Sequence, residues 1–280
     1  MNIPRYWARE IYKMQAPDGQ TISASCWRWS AVSVDDARQQ ARIGAQQLAG
    51  KILNRGYLDR YSYGERPMRE EVMQALSNVG NREIALVTRN AYGALVLNAA
   101  EAMFIDIDFK DEKPAGGLGK LFGKAGPTQE ETRLEQIEQW ARRYPGIGLR
   151  VYRTFGGLRC LVTNDVFDPT RDSTLEMLKS ADSDPLYLTL CRRQECFRAR
   201  LTPKPWRLGL GRPPARWPWE DNRGEMKYRG WEQTYNLKAA SYTVCKLVKQ
   251  IGSSLIHPDV EPIVALHDRM ACSAQDLKLA

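Results

Sequence analysis

Apolar and polar residues alternate along Thr21–Ser30 (TISASCWRWS), the period of a half-buried strand. Ser33 and Asp36 follow at capping-box spacing, with Asp where Glu or Gln is commoner. The stretch DDARQQARIGAQQLAGKIL then repeats apolar positions at Ala37, Ala41, Ala45, Leu48 and Ile52, which predicts a helix. Beyond the tyrosine- and glycine-rich GYLDRYSYGERP, Pro67 suits the first turn of a short helix ending near Asn78. Ile84–Thr88 and Ala94–Asn98 read as strands joined by a hairpin-like turn, and Ala102–Phe109 as a third, largely buried strand.

Lys113–Pro127 (KPAGGLGKLFGKAGP) reads as a glycine-rich loop, after which Thr128 caps an amphipathic helix to about Tyr144. Leu134, Ile137, Trp140 and Ala141 share one face of it. Leu149–Phe155 and Leu158–Thr163 flank Gly156-Gly157, the clearest hairpin signal, because paired glycines suit a type I′ turn. Helices are predicted across Ser173–Ser180 and Asp184–Gln194, and the strand-like CFRARL comes next. Pro203–Pro218 reads as ordered but irregular, and the remainder as helical across Glu232–Lys249 and from Pro258 through Met270. These elements make an α+β (mixed α/β) protein, residues 1–280 forming one large domain. Strands between Ile84 and Leu201 form its mainly antiparallel sheet, with helices packed around it.

Of 280 residues 43% are hydrophobic, enough for a substantial core, which excludes wholesale disorder. No segment approaches 18 consecutive apolar residues, so no membrane span is expected. MNIPRYWARE lacks the apolar run of a secretory signal, and a cytoplasmic location is the expectation. The six cysteines are scattered and read as buried small thiols. A zinc site assembled from Cys191 and Cys196 with Cys245, His257 or His267 is conceivable, but the spacing does not demand it.

The formal charge of +8 is unevenly placed: Cys191–Arg216 holds eight Lys or Arg against the single acid Glu195. Such a surface attracts phosphate or nucleic acid through long-range attraction and counterion release. Its plain alternative is a solubilising arginine-rich face.

Asp106 and Asp108 interrupt an apolar strand, and a side-chain period of two puts both carboxylates on one face. Burial and mutual repulsion make the pair costly unless solvent, arginine or a cation compensates. Mg²⁺ or Mn²⁺, with oxygen ligands shared between carboxylates and substrate phosphates, is the chemically useful compensator. A strand face meeting water, or an Asp–Arg pair, would account for the same residues. Arg150, Arg153 and Arg159 on the hairpin are available for either phosphates or those acids.

The order FIDID, loop, helix, RTFGG hairpin, Asp184 in DSDPLY and then FRARLTPKP resembles the catalytic core of archaeo-eukaryotic-type primases and primase-polymerases. The resemblance spans about Met103–Lys204 and implies a primase-like core within residues 80–204, with 205–280 packed on it. It implies Asp106, Asp108 and Asp184 as catalytic metal-binding carboxylates. Thr154, Gly156 and Gly157 match the small-residue turn. Arg159 stands roughly where the family has a nucleotide-binding histidine, a departure, since arginine can hold a triphosphate but cannot act as a neutral imidazole. Arg153 and Arg159 would then neutralise phosphates, and Arg198 or Lys204 would match the basic group beyond the third aspartate. The whole chain also resembles a bacterial protein family sharing the YWAR, YGALVLN and CFRARLTPKPWR stretches, which implies no mechanism.

PKPWRLGLGRPPARWPWE interleaves aromatic and basic residues, so Trp206, Arg207, Arg212 and Arg216 form a candidate nucleic-acid surface. The alternative is that the tryptophans pin a proline-rich segment to the protein body. His267-Asp268 reads as local polarity at a helix end. Three functions compete: a divalent-metal-dependent nucleotidyltransferase, a catalytically inactive nucleotide- or nucleic-acid-binding module, and a structural protein with an internal Asp–Arg network.

Overall fold

The computed structural model describes residues 1–54, 67–109, 127–273 and 276–280. In chain order these form β1 (Tyr6–Gln15), β2 (Thr21–Ser30), α1 (Val34–Leu53), β3 (Glu71–Ser77), β4 (Glu83–Arg89), β5 (Leu95–Ala99) and β6 (Phe104–Asp108). Then come α2 (Gln129–Arg142), β7 (Gly148–Thr154), β8 (Gly157–Val162), α3 (Asp172–Ser180), α4 (Pro185–Gln194) and β9 (Phe197–Arg200). A 3-10 turn at Pro205–Leu208 leads to α5 (Asn222–Ala239), β10 (Tyr242–Thr243), β11 (Cys245–Gly252), α6 (Glu261–Ala271) and β12 (Lys278–Leu279). The fold is α+β with mostly antiparallel pairing. The tyrosine-rich stretch and the glycine-rich loop fall outside the described residues, Pro67 and Pro127 excepted.

The expected sheet is in fact two. One has the order β3-β4-β5-β9 and the other β11-β7-β8-β6, each with four antiparallel strands. β5 and β6 are consecutive in sequence yet belong to different sheets, so β6 and β9 become neighbouring edges. β1 and β2 form a separate hairpin on which α1 lies. Ala37, Ala41, Gly44, Ala45 and Ala49 make the buried face of α1. Small side chains let the helix approach closely: a Cβ on Gly44 would come within 2.8 Å of Cys26 Sγ. Ser33 caps this helix by accepting from the Asp36 N–H at 3.1 Å.

Three expectations are corrected. Glu71–Ser77 is a strand, not a helix, because pairing with β4 outweighs the helix propensity of EVMQALS. The helix expected across Glu232–Lys249 ends at Ala239, and Cys245–Gly252 is the edge strand beside β7. The β7–β8 hairpin forms, but neither Gly156 nor Gly157 takes the positive φ that a type I′ turn requires. Gly157 answers to a different constraint, since a Cβ there would run into the Ile107 carbonyl of β6.

One contiguous buried cluster includes residues of both sheets and of α2, α3, α4 and α6. Thr128 and Glu131 complete a capping box at α2, which buries Ile137, Trp140 and Ala141. Truncating a buried tryptophan such as Trp140 to alanine typically costs about 3–5 kcal/mol. On the other side of the sheet, His267 of α6 packs on Phe104 and Tyr152, with ring centroids 5.4 and 4.7 Å apart. No described helix is long and apolar enough to cross a membrane.

Candidate nucleotide site at the seam of the two sheets

β6 is an edge strand, and its alternation presents Phe104, Asp106 and Asp108 on one face. Asp106 pairs in register with Arg159 of β8, which in turn faces Tyr152 of β7. Arg159 is almost wholly buried, with Nε 3.9 Å from Asp106 Oδ1. Its Nη1 donates to the Arg200 carbonyl at 2.9 Å, so this one side chain bridges the two sheets.

Asp184 is brought to the same place by backbone contacts. Its N–H donates to the Asp106 carbonyl at 3.0 Å, and the Ser183 hydroxyl donates to that oxygen at the same distance. The Asp184 carboxylate caps α4 by accepting from Leu186 N–H at 3.1 Å. The Asp108 carboxyl is pushed above the usual carboxylate range by partial burial, then by the negative charges of Asp106 and Asp184. Lys204 and Arg200 oppose that rise. The three carboxylates therefore share one electrostatic neighbourhood. Their oxygens do not all gather within 4.8 Å of one another, a span met by only one group among the described residues, Cys245, His267 and Cys272.

An internal Asp–Arg network accounts for Asp106 alone, at long range; Asp108 has no ion pair among the described residues. The chemistry of the donor set fits Mg²⁺ or Mn²⁺, because two hard carboxylates on one strand face and a third nearby carry a negative excess that a cation relieves.

The predicted cations divide. Arg153 lies on the opposite face of its strand from Asp106, ion-paired to Glu130 at 3.0 Å and stacked on Phe109 at 4.4 Å. It cannot join the aspartates. Arg198 lines the same cavity as Asp106, but its Nη2 is held by both Glu70 oxygens at 2.8 and 3.0 Å, which neutralises its charge. Lys204 remains available: its ammonium is held below the usual lysine range by burial and by Arg200 and Arg207, while Asp106 and Asp108 oppose this. Arg207 stacks on Phe155 at 4.1 Å within the field of Asp108.

Nothing in the sequence singles out Arg200, although it lines that cavity too. Its Nε is buried without a hydrogen-bond partner. Burial, then Arg159, pushes its pKa down to about 10, which still leaves it charged at neutral pH. The FRAR alternation puts Arg198 and Arg200 on one face, and nothing local says which of them Glu70 will neutralise.

These groups open into a cavity of about 740 Å³. Asp106, Arg159, Arg200 and Lys204 line it, Asp108 and Asp184 do not, and Trp7, Trp27 and Trp29 of the N-terminal hairpin form part of its wall. Arg69 stacks on Trp27 at 4.2 Å. Arg216, Trp217 and Trp219 also line the cavity. The proline-rich segment is tied to α5 by Tyr235, which donates to Pro203 O at 2.7 Å, and by Trp231, which donates to Gly211 O at 3.2 Å. Trp206 stays 48% exposed at the rim, edge-on to Tyr92, whose ring also lies under Arg212.

No protein family, curated protein or solved structure matches this chain. The site must therefore be read from its own chemistry. The volume suits a ligand of nucleotide size. Aromatic walls can stack a base, and Arg200 and Lys204, which have no ion pair among the described residues, can meet phosphates.

Proposed function

We propose that this protein is a divalent-metal-dependent, primase-like nucleotidyltransferase acting on nucleotides or nucleic acid in the cytoplasm. The observation that carries this reading is that Asp106 lines one tryptophan-walled cavity with Arg200 and Lys204, while Asp108 and Asp184 lie close enough to Asp106 to share its field. Mg²⁺ or Mn²⁺ would be held by Asp106 and Asp108, with Asp184 beside them. When bound, such ions supply phosphate charge neutralisation and a more acidic attacking hydroxyl.

The chain's own residues supply the rest. The Arg200 guanidinium and Lys204 Nζ bind phosphate oxygens, and Arg159 beside Asp106 adds positive charge. Trp27 and its neighbours stack the base and exclude water. Trp206, Arg212 and Arg216 extend the surface for a strand leaving the cavity.

The test is Mn²⁺- or Mg²⁺-dependent incorporation of nucleotides onto a primed or unprimed template. Loss of incorporation on replacing Asp106 and Asp108 with alanine supports the reading, and undiminished incorporation sinks it. The buried Arg159, spent on Asp106 and Arg200 O, favours a second reading: a binding module that keeps the cavity without the chemistry. Salt-sensitive DNA binding that is indifferent to Asp108→Ala, with no incorporation by the wild type, selects that module.

A further inference from the structure

We propose that Cys245, His267 and Cys272 bind zinc, in a site separate from the aspartates. Cys245 opens β11, His267 lies one turn from the end of α6, and Cys272 directly follows that helix. The fold joins them through a parallel backbone bridge between Cys245 and Cys272. Their Sγ atoms stand 3.5 Å apart, Cys245 Sγ lies 3.9 Å from His267 Nε2, and all three ligand atoms fall within 4.8 Å of one another. Tetrahedral zinc, with Zn–S near 2.3 Å and Zn–N near 2.0–2.1 Å, places its ligand atoms roughly 3.5–4 Å apart.

The imidazole is oriented as a ligand. Its Nδ1 lies 3.1 Å from Asp268 Oδ1. Asp268 is fixed by the Tyr152 hydroxyl at 2.7 Å and by Arg150 at 2.6 Å. The other nitrogen, Nε2, faces Arg159 Nη1 at 3.4 Å; arginine only donates, so Nε2 presents its lone pair. Nδ1 therefore carries the hydrogen and donates it to Asp268. This carboxylate–histidine relay is the arrangement that usually holds a metal-bound histidine. Two soft thiolates with one imidazole select zinc over the hard cations expected at the aspartates.

Charge supports the assignment. Cys245 and His267 are completely buried, and Zn²⁺ with two thiolates is neutral overall. Binding releases the thiol protons to solvent. Cys272 is only partly buried, so its side is open to water as a fourth ligand. Zinc also takes the Nε2 lone pair from Arg159, which keeps its bond to Arg200 O and its partner Asp106. The metal would thus fasten the edge strand to α6 directly behind the candidate nucleotide site.

The test uses the full chain purified under reducing, chelator-free conditions. Elemental analysis is expected to give one zinc per chain, and thiol titration to expose two further cysteines when chelator is added. Replacement with Co²⁺ should give the intense visible bands of a tetrahedral thiolate site. Cys272→Ser, at the more exposed position, should lose the metal while keeping the far-ultraviolet circular dichroism spectrum. Asp108→Asn should retain it, which separates this site from the aspartates. A metal-free wild type whose thiols react without chelator, zinc retained by both Cys272→Ser and His267→Gln, or a Cys245–Cys272 disulfide in anaerobically purified protein would each overturn the assignment.

Discussion

The backbone N–H of Asp184 donates to the carbonyl oxygen of Asp106 at 3.0 Å, locking the cap of α4 against the acidic strand β6. A turn far along the chain thereby places a third negative charge where it raises the proton affinity of Asp108.

Asp108→Asn is expected to stabilise the apoprotein modestly while removing its thermal response to Mn²⁺. Because the folded carboxyl has the raised pKa, the folded state binds more protons than the unfolded state between the ordinary value of 3.8 and the raised one. Wild-type stability relative to the variant should fall as pH rises through that window and stay lower above it. Denaturant melts of both proteins across the acidic range check the sign.

Breaking the Glu70–Arg198 pair should be costly. Both side chains are nearly inaccessible, and Glu70 also accepts from the Thr88 hydroxyl. Glu70→Ala leaves a buried guanidinium uncompensated, with an expected loss of about 3–5 kcal/mol in urea unfolding. Glu70→Met combined with Arg198→Met should recover most of that loss.

Gly157→Ala should loosen the hairpin from β6. The added methyl must displace the Ile107 carbonyl, and overpacking of this kind typically costs about 1–3 kcal/mol. Gly156→Ala meets only the distant end of Arg207, at 3.9 Å, and should cost little beyond its backbone effect. Chemical denaturation of the two variants side by side distinguishes close approach from turn geometry.

Arg200→Met should weaken nucleotide binding by about tenfold or more, the loss of one charge-assisted hydrogen bond. Arg153→Met should leave binding unchanged, since that side chain lies on the far face with Glu130. Quenching of the cavity tryptophans during nucleotide titration reads both.

Much of this was legible in the sequence where local chemistry and tertiary context agree. β6, the β7–β8 hairpin and the Thr128 cap announce themselves through alternation, paired glycines and a capping residue. The strands β1 and β11 do not. In YWAREIYKMQ and CKLVKQIG burial is partial, and apolar residues such as Ile11, Leu247 and Val248 are exposed beside charged ones, so neither shows a clean period of two. β3 is built from good helix formers and becomes a strand only because β4 is beside it. At the site, the aspartates stood out because acids are rare in apolar strands. Arg198 and Arg200 are equivalent in sequence, and only the distant Glu70 tells them apart.

The seam between β6 and β9 has a consequence for how the protein becomes competent. One sheet brings the acids and the other brings Arg200 and the chain leading to Lys204, with Arg159 pinning the two together. A collapsed chain with every hairpin formed but the sheets undocked would have neither balanced charges nor a cavity. Ligand affinity is then a gauge of sheet docking: it should appear in the last step of refolding and vanish first under mild denaturant, while circular dichroism still reports a full complement of strands.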